Sequence, residues 1–168
     1  MATITVPRRL AEEATKRGLD LEELVLRAIT KALNLDPQEV AEARIELAEK
    51  MLKEAEDYVA KKDVVQASEK LYKAVEECIK ALAEKFRVEQ LEEVEKRGKW
   101  DTWLLGMAAT DLAKELGEDR IHLAWSKAYD IHVWGFHEAK YRVEDVKAAL
   151  PLAKWLVEHA KKTVRERA

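Results

Sequence analysis

Residues 63–86, DVVQASEKLYKAVEECIKALAEKF, decide the fold. Asp63 followed by Gln66 is a helix-start pair: the carboxylate at the cap accepts hydrogen bonds from amides that have no partner in the first turn. Val64, Ala67, Leu71, Ala74, Cys78 and Leu82 then recur at three- or four-residue intervals. That spacing puts them on one side of an α-helix and predicts an amphipathic helix with one stripe to bury. The same grammar repeats outward in both directions. Asp36-Pro37-Gln38-Glu39 pairs a cap with a proline at the first helical position, and Val40, Ala43, Leu47, Met51, Ala55 and Tyr58 follow it. Downstream, Leu104, Met107 and Leu112 form one stripe and Ile121, Trp125, Ala128 and His132 a second. Val146, Leu150, Ala153, Leu156, Ala160 and Val164 form a third. Asp20 with Glu23 marks a further start, and Gly18 and Gly117 are placed to end helices. Helices are predicted to begin near 7, 20, 37, 63, 101, 119 and 143, with a short surface helix within the polar run 87–99. Pro151 is expected to kink the last helix. Long helices with short joints imply an all-α, up-and-down antiparallel bundle of four to five helices over 36–168.

Composition narrows the function. Of 168 residues, 38% are charged, yet 30 basic side chains face 33 acidic ones, so the net charge is −3. Interspersed signs argue against a strongly basic nucleic-acid platform. Asn occurs once, Gln three times and Ser twice, a scarcity typical of proteins from hot environments. The single Cys78 excludes an internal disulfide and fits a reducing cytosol. No apolar run is long enough to span a membrane, and MATITVPRRL lacks the apolar core of a signal peptide. The expected setting is the cytoplasm.

The first 35 residues read differently. Thr3-Ile4-Thr5-Val6 alternates as a short strand does, and two short helices joined at Gly18 follow. Strand, helix, helix resembles the ribbon-helix-helix DNA-binding fold. That resemblance would turn Thr3 and Thr5 toward bases and set Arg8 and Arg9 beside phosphates. The alternative for 1–35 is an extended arm and helical hairpin used for oligomerisation. It fits better the absence of side chains that read bases bidentately.

Three runs, DVVQASEKLYKAVEECIKALAE (63–84), RGKWDTWLL (97–105) and HVWGFHEAKYRVEDV (132–146), resemble the PaREP family of archaeal proteins, which is placed among the HEPN domains. The resemblance implies a HEPN-like bundle, usually dimeric. It also implies one of three roles: ribonuclease, partner of a nucleotidyltransferase, or inactive binding module. A homodimer or dimer of dimers is expected as well from Trp100, Trp103 and Trp125, which exceed what a thin bundle readily buries.

HEPN ribonucleases carry Arg, four to six residues, then His. Here the nearest counterpart is Lys127 to His132, and lysine lacks the planar fork that grips phosphate oxygens. A degenerate, metal-independent ribonuclease would use His137 or His132 with Lys127 or Arg142. The reading preferred here is a non-catalytic module that binds a nucleotide, a nucleic acid or a nucleotidyltransferase. Its candidate binding residues are Trp134, His137, Glu138, Lys140 and Arg142, with Lys70 and Lys73 on the helix from 63. His132 follows the inward stripe, whereas His137 follows Gly135, where the helix is expected to stop and form a polar lip. No cofactor and no metal are expected. Two histidines five apart point away from each other on a straight α-helix, and a break at Gly135 would be needed to gather them with Glu138 or Asp130.

Overall fold

The computed structural model describes residues 1–166 and is 80% helical. In chain order the helices are α1 (Arg8–Lys16), α2 (Leu21–Ala32), α3 (Pro37–Ala60), α4 (Val64–Phe86), α5 (Gln90–Arg97), α6 (Thr102–Leu116), α7 (Arg120–Ile131) and α8 (Val143–Arg165). A π-helical turn, His132–His137, extends α7. The chain divides into two compact units, Met1–Asp36 and the remainder from Pro37 onward.

In the first unit, Asp20 caps α2 by accepting from the Glu23 amide at 3.0 Å. Gly18 ends the preceding segment at φ +68. The strand expected at 3–6 is not there: these residues are irregular, and Ile4 is exposed. Alternation alone does not make a strand, which exists only when a neighbour takes its backbone hydrogen bonds, and no strand occurs among the described residues. The all-α class therefore holds without its strand appendage.

The second unit is built around α4, which packs against α3, α5, α6, α7, α8 and the π turn. Its N-cap works as its sequence implies, Asp63 accepting from the Gln66 amide at 3.1 Å. Ala41, Ala48 and Ala55 on α3 and Ala67, Ala74 and Ala81 on α4 recur every seven residues, all fully buried. Small residues at a helix seam let two backbones approach closely. Around that seam Ile45, Met51, Leu71, Ile79, Leu82, Leu105, Leu112, Ile121, Ile131 and Leu156 fill the core. One ionic group lies within it: the Arg44 guanidinium donates to Glu77 at 2.9 Å, and the Lys80 ammonium lies 3.5 Å from the same carboxylate. Glu76 lies 3.7 Å from the same ammonium, so two cations face two carboxylates, and burying such charges is tolerable because they neutralise one another. Cys78 is a buried core thiol whose pKa is pushed up, first by burial and then by Glu77 and Glu49.

Some details depart from the periodic reading. Met107, assigned to the buried stripe of α6, is 47% exposed, and Ala108 and Ala109 take the inward positions. Trp125 is buried within the single chain while Trp103 is half exposed. Helix α8 runs on through Pro151, which sits on its exposed side. No helix of the described residues is long and apolar enough to cross a membrane.

Candidate functional site: two histidines joined by a π turn

The site begins with the way α7 ends. Ile121, Trp125, Ala128 and Ile131 point into the core and anchor the helix. The chain then widens into the π turn, closed where the Glu138 amide donates to the Val133 carbonyl five residues back, at 2.8 Å. Ala139, at φ +51, ends it. Gly135 is therefore not the stop that the sequence suggested; the helical path continues past it. Its role is close approach. A Cβ built at Gly135 would lie 2.1 Å from Ser68 Oγ and 2.8 Å from Ser68 Cβ, so only glycine lets this turn lie on α4. Ser68 itself is held by donating to the Val64 carbonyl at 2.7 Å.

The extra residue per turn changes which side chains meet. On an α-helix, residues five apart differ by about 140° around the axis. In a π turn they are successive along one face. His132 and His137 accordingly converge, Nε2 to Nε2, at 2.9 Å. At that distance one nitrogen carries the shared proton and the other accepts it. The His132 side chain is 15% exposed, whereas His137 is exposed. His132 stacks on Tyr72 of α4 at 3.9 Å between centroids and lies beside Phe136 at 5.7 Å. Its Nδ1 lies 3.4 Å from Glu69 Oε2, and both atoms are buried without a hydrogen-bond partner. The result is a line of three groups, Glu69, His132 and His137, running from the side of α4 to the surface.

The other candidate residues are placed less uniformly. Lys127 pairs with Asp130 at 3.0 Å. The Tyr141 hydroxyl donates to both oxygens of the same carboxylate, at 2.9 and 2.8 Å, and that bond raises its pKa and keeps the phenol protonated. Arg142 is the N-cap of α8 and makes two guanidinium bonds to Asp145, each 3.0 Å. Those bonds hold the Asp145 pKa down at about 2. Trp134 is 46% exposed, and its carbonyl accepts from the Lys140 amide at 2.7 Å. Glu138 and Lys140 are exposed. Lys73 lies 3.8 Å from Glu69 and so joins the site through that carboxylate. Lys70 turns to α3, where it meets Glu54 at 3.1 Å.

Sequence reasoning missed Glu69, Tyr72 and Ser68 as members of the site. The signal available was Gly135, since an isolated glycine within a helical pattern often marks a close backbone approach. A group of three or more His, Cys, Asp or Glu side chains able to hold a metal does not occur among the described residues.

A second aromatic and ionic cluster sits where α7 begins. Arg120 lies over the Trp155 ring at 4.1 Å, and His159 stacks on that ring at 4.8 Å. Glu118 binds Arg120 through both oxygens, at 2.9 and 2.8 Å, which lowers its pKa to about 2. Burial lowers the pKa of His159.

Comparison with known proteins places the larger unit. The model of the archaeal PaREP1/PaREP8 family matches residues 43–157. A crystal structure of a protein from Sulfolobus solfataricus is 34% identical, covering 71% of this chain and 97% of that one, with a TM-score of 0.66. The solution structure of the same structural-genomics target gives 33% identity, 73% and 94% coverage, and a TM-score of 0.63. No curated protein matches the chain.

Proposed function

The chain belongs to the archaeal PaREP1/PaREP8 family, and from that premise we propose that it is a non-catalytic binding module that takes a nucleotide or short nucleic acid at the lip formed by 132–142. The observation that carries this reading is the state of the two cations. Ribonuclease chemistry needs a cation to steady charge on phosphate beside a histidine that moves the proton. Lys127 is held by Asp130 and Arg142 by Asp145, each at 3.0 Å. Binding draws instead on the exposed ring of Trp134, in the same π turn as exposed His137, since a base stacks on an aromatic face without any readout of sequence.

The test is quenching of tryptophan fluorescence by mononucleotides and by a short RNA, with the RNA recovered and sized afterwards. Saturable quenching, weakened by Trp134→Ala and by His137→Ala, with the RNA intact, is expected. RNA cleavage lost in His137→Ala would favour the second reading, a degenerate HEPN-type ribonuclease using His137 or His132. Absence of any saturable quenching would leave a protein partner, of nucleotidyltransferase type, as the occupant.

The assembly proposal is a HEPN-like homodimer or dimer of dimers. Half-exposed Trp103 and Met107 on α6 support it. The N-terminal unit is given an oligomerising role, supported by its exposed Leu10, Ile29 and Leu33. Light scattering at micromolar concentration should give at least twice 19.3 kDa. Removal of 1–35 should loosen the assembly and leave nucleic-acid affinity unchanged. A sequence-specific, salt-sensitive shift of duplex DNA that disappears on truncation would restore the ribbon-helix-helix reading.

A further inference from the structure

The two ring nitrogens that meet at the end of the π turn have the arrangement of a ligand pair. We propose that His132 and His137 bind one divalent transition-metal ion through their Nε2 atoms, with Glu69 as the carboxylate that orients His132.

Three observations converge on this. The first is the spacing. Two imidazole nitrogens at zinc-bond length from one tetrahedral ion stand about 3.3 Å apart. Here they stand 2.9 Å apart, so an opening of a few tenths of an ångström admits the ion. His137 is exposed and supplies that movement, while His132 is fixed by its stack on Tyr72.

The second is the group behind His132. Metal-bound histidines almost always donate their remaining N–H to a carboxylate, a backbone carbonyl or a water. Glu69 Oε2 lies 3.4 Å from His132 Nδ1, and both are buried atoms with no hydrogen-bond partner. A proton on Nδ1 gives Glu69 its donor and leaves the Nε2 lone pair of His132 facing outward, the tautomer an ion requires. His137 moves its proton from Nε2 to Nδ1 on an exposed ring. The pair then offers two lone pairs to one point, and no proton leaves the protein.

The third is the backbone. Only a π turn brings histidines five apart onto one face, and it is held open by the contact of Gly135 with Ser68. π-Bulges inside α-helices concentrate at functional sites.

The donor set selects the ion. Imidazole suits zinc, copper and nickel, whereas magnesium and calcium call for oxygen ligands. Two protein donors leave the remaining positions to water, so the site is open rather than sealed. The proposal stands apart from the nucleotide reading, because the ion alone is the probe.

The experiment uses the full, untagged chain. Titration calorimetry with zinc chloride should give one ion per chain. Electron paramagnetic resonance with one equivalent of copper(II) should show coupling to two imidazole nitrogens. His137→Ala, an exposed position with little bearing on folding, should abolish both signatures. Glu69→Gln should weaken zinc binding about tenfold or more with the melting temperature little changed. The double variant His122→Ala/His159→Ala, which removes the other two histidines, should bind as the parent does. Equal zinc binding by the parent and His137→Ala, or copper coupled to a single nitrogen, would overturn the proposal. So would the absence of any zinc heat in the parent.

Discussion

Two histidines stack on aromatic rings at the two ends of α7, and they differ in what their second nitrogen meets. Near Arg120, His159 lies on Trp155, whose ring also carries the Arg120 guanidinium. Beyond Ile131, His132 lies on Tyr72, and its outer nitrogen meets His137. His159 belongs to α8, where regular α-helical spacing leaves its Nε2 buried with no partner. His132 opens a π turn, where one more residue per turn brings a second histidine to it. Backbone period, rather than the residues gathered, separates a packing cluster from one in which two imidazole nitrogens meet. Both ends hold histidine, carboxylate, cation and aromatic side chains.

The largest effect is expected from removing the π turn. Gly135→Ala puts a methyl group within 2.1 Å of Ser68 Oγ, and Ser68 lies within α4, in the core. Overpacking of this kind should cost about 3 kcal/mol or more of unfolding free energy in urea titration. Adding Ser68→Gly removes both obstructing atoms and should restore part of the loss, less the cost of a glycine inside α4. A single Gly135→Ala variant as stable as the parent would mean that the turn leaves α4 freely and that close approach does not fix it.

The next effect tests the stack. His132→Ala removes a ring that is 15% exposed in its side chain and lies on Tyr72, and leaves Glu69 further from any donor. A loss of about 1–3 kcal/mol is expected. His159→Ala should cost less, because His159 Nε2 already lacks a partner, so the polar part of the loss is absent. Equal losses at the two ends would erase the distinction.

Much of this was legible from local chemistry, and the reason is range. Caps act within one turn, so Asp20 and Asp63 placed helix starts within a residue of α2 and α4. Spacing of three and four identified the faces that α4, α7 and α8 bury; on α3 it found Val40, Met51 and Ala55 but took half-buried Ala43, Leu47 and Tyr58 in place of the fully inward Ala41, Ile45 and Ala48. What was not legible depends on contacts distant in sequence. Gly135 lies on Ser68, and although the glycine within HVWGFH signals a close approach, nothing there identifies which neighbour it meets. Counting 100° per residue therefore set His132 and His137 apart when they touch. Glu69 has Lys73 one turn away on its own helix, a local pair; its contact with His132 comes from a turn far along the chain. The strand at 3–6 failed for the same reason, because alternation is local and pairing is not.

A smaller effect separates the ends by pH. Burial lowers the pKa of His159 below its ordinary value of 6.5, against the pull of Glu118 and Glu166 and with help from Arg120 and Lys162. The folded state thus resists the proton that the unfolded state accepts. Stability from the neutral ring is complete above the ordinary value and falls as pH drops through it toward the folded value. His159→Phe keeps a ring on Trp155 but cannot titrate. Its melting temperature should fall less steeply than that of the parent between about pH 7 and about pH 5. Parallel curves would show that the proton on His159 plays no part in acid sensitivity.

The smallest expected effect is also the sharpest. His137 is exposed; its Nε2 meets His132 Nε2, and its ring lies edge-on to Phe136 at 5.0 Å between centroids. Truncating an exposed side chain usually changes stability by less than about 0.5 kcal/mol, and the bond it loses is replaced by water at the surface. His137→Ala should therefore unfold at nearly the parental urea midpoint. The π turn should survive, because the Glu138 amide still reaches the Val133 carbonyl and Gly135 still lies on Ser68. Nuclear magnetic resonance shifts of 133–138 would report its persistence. If instead the variant lost more than about 1 kcal/mol and those shifts moved to α-helical values, the histidine pair would be what holds the turn open. The lip would then be a structural clasp like the Trp155 stack, and binding there would have to be argued afresh.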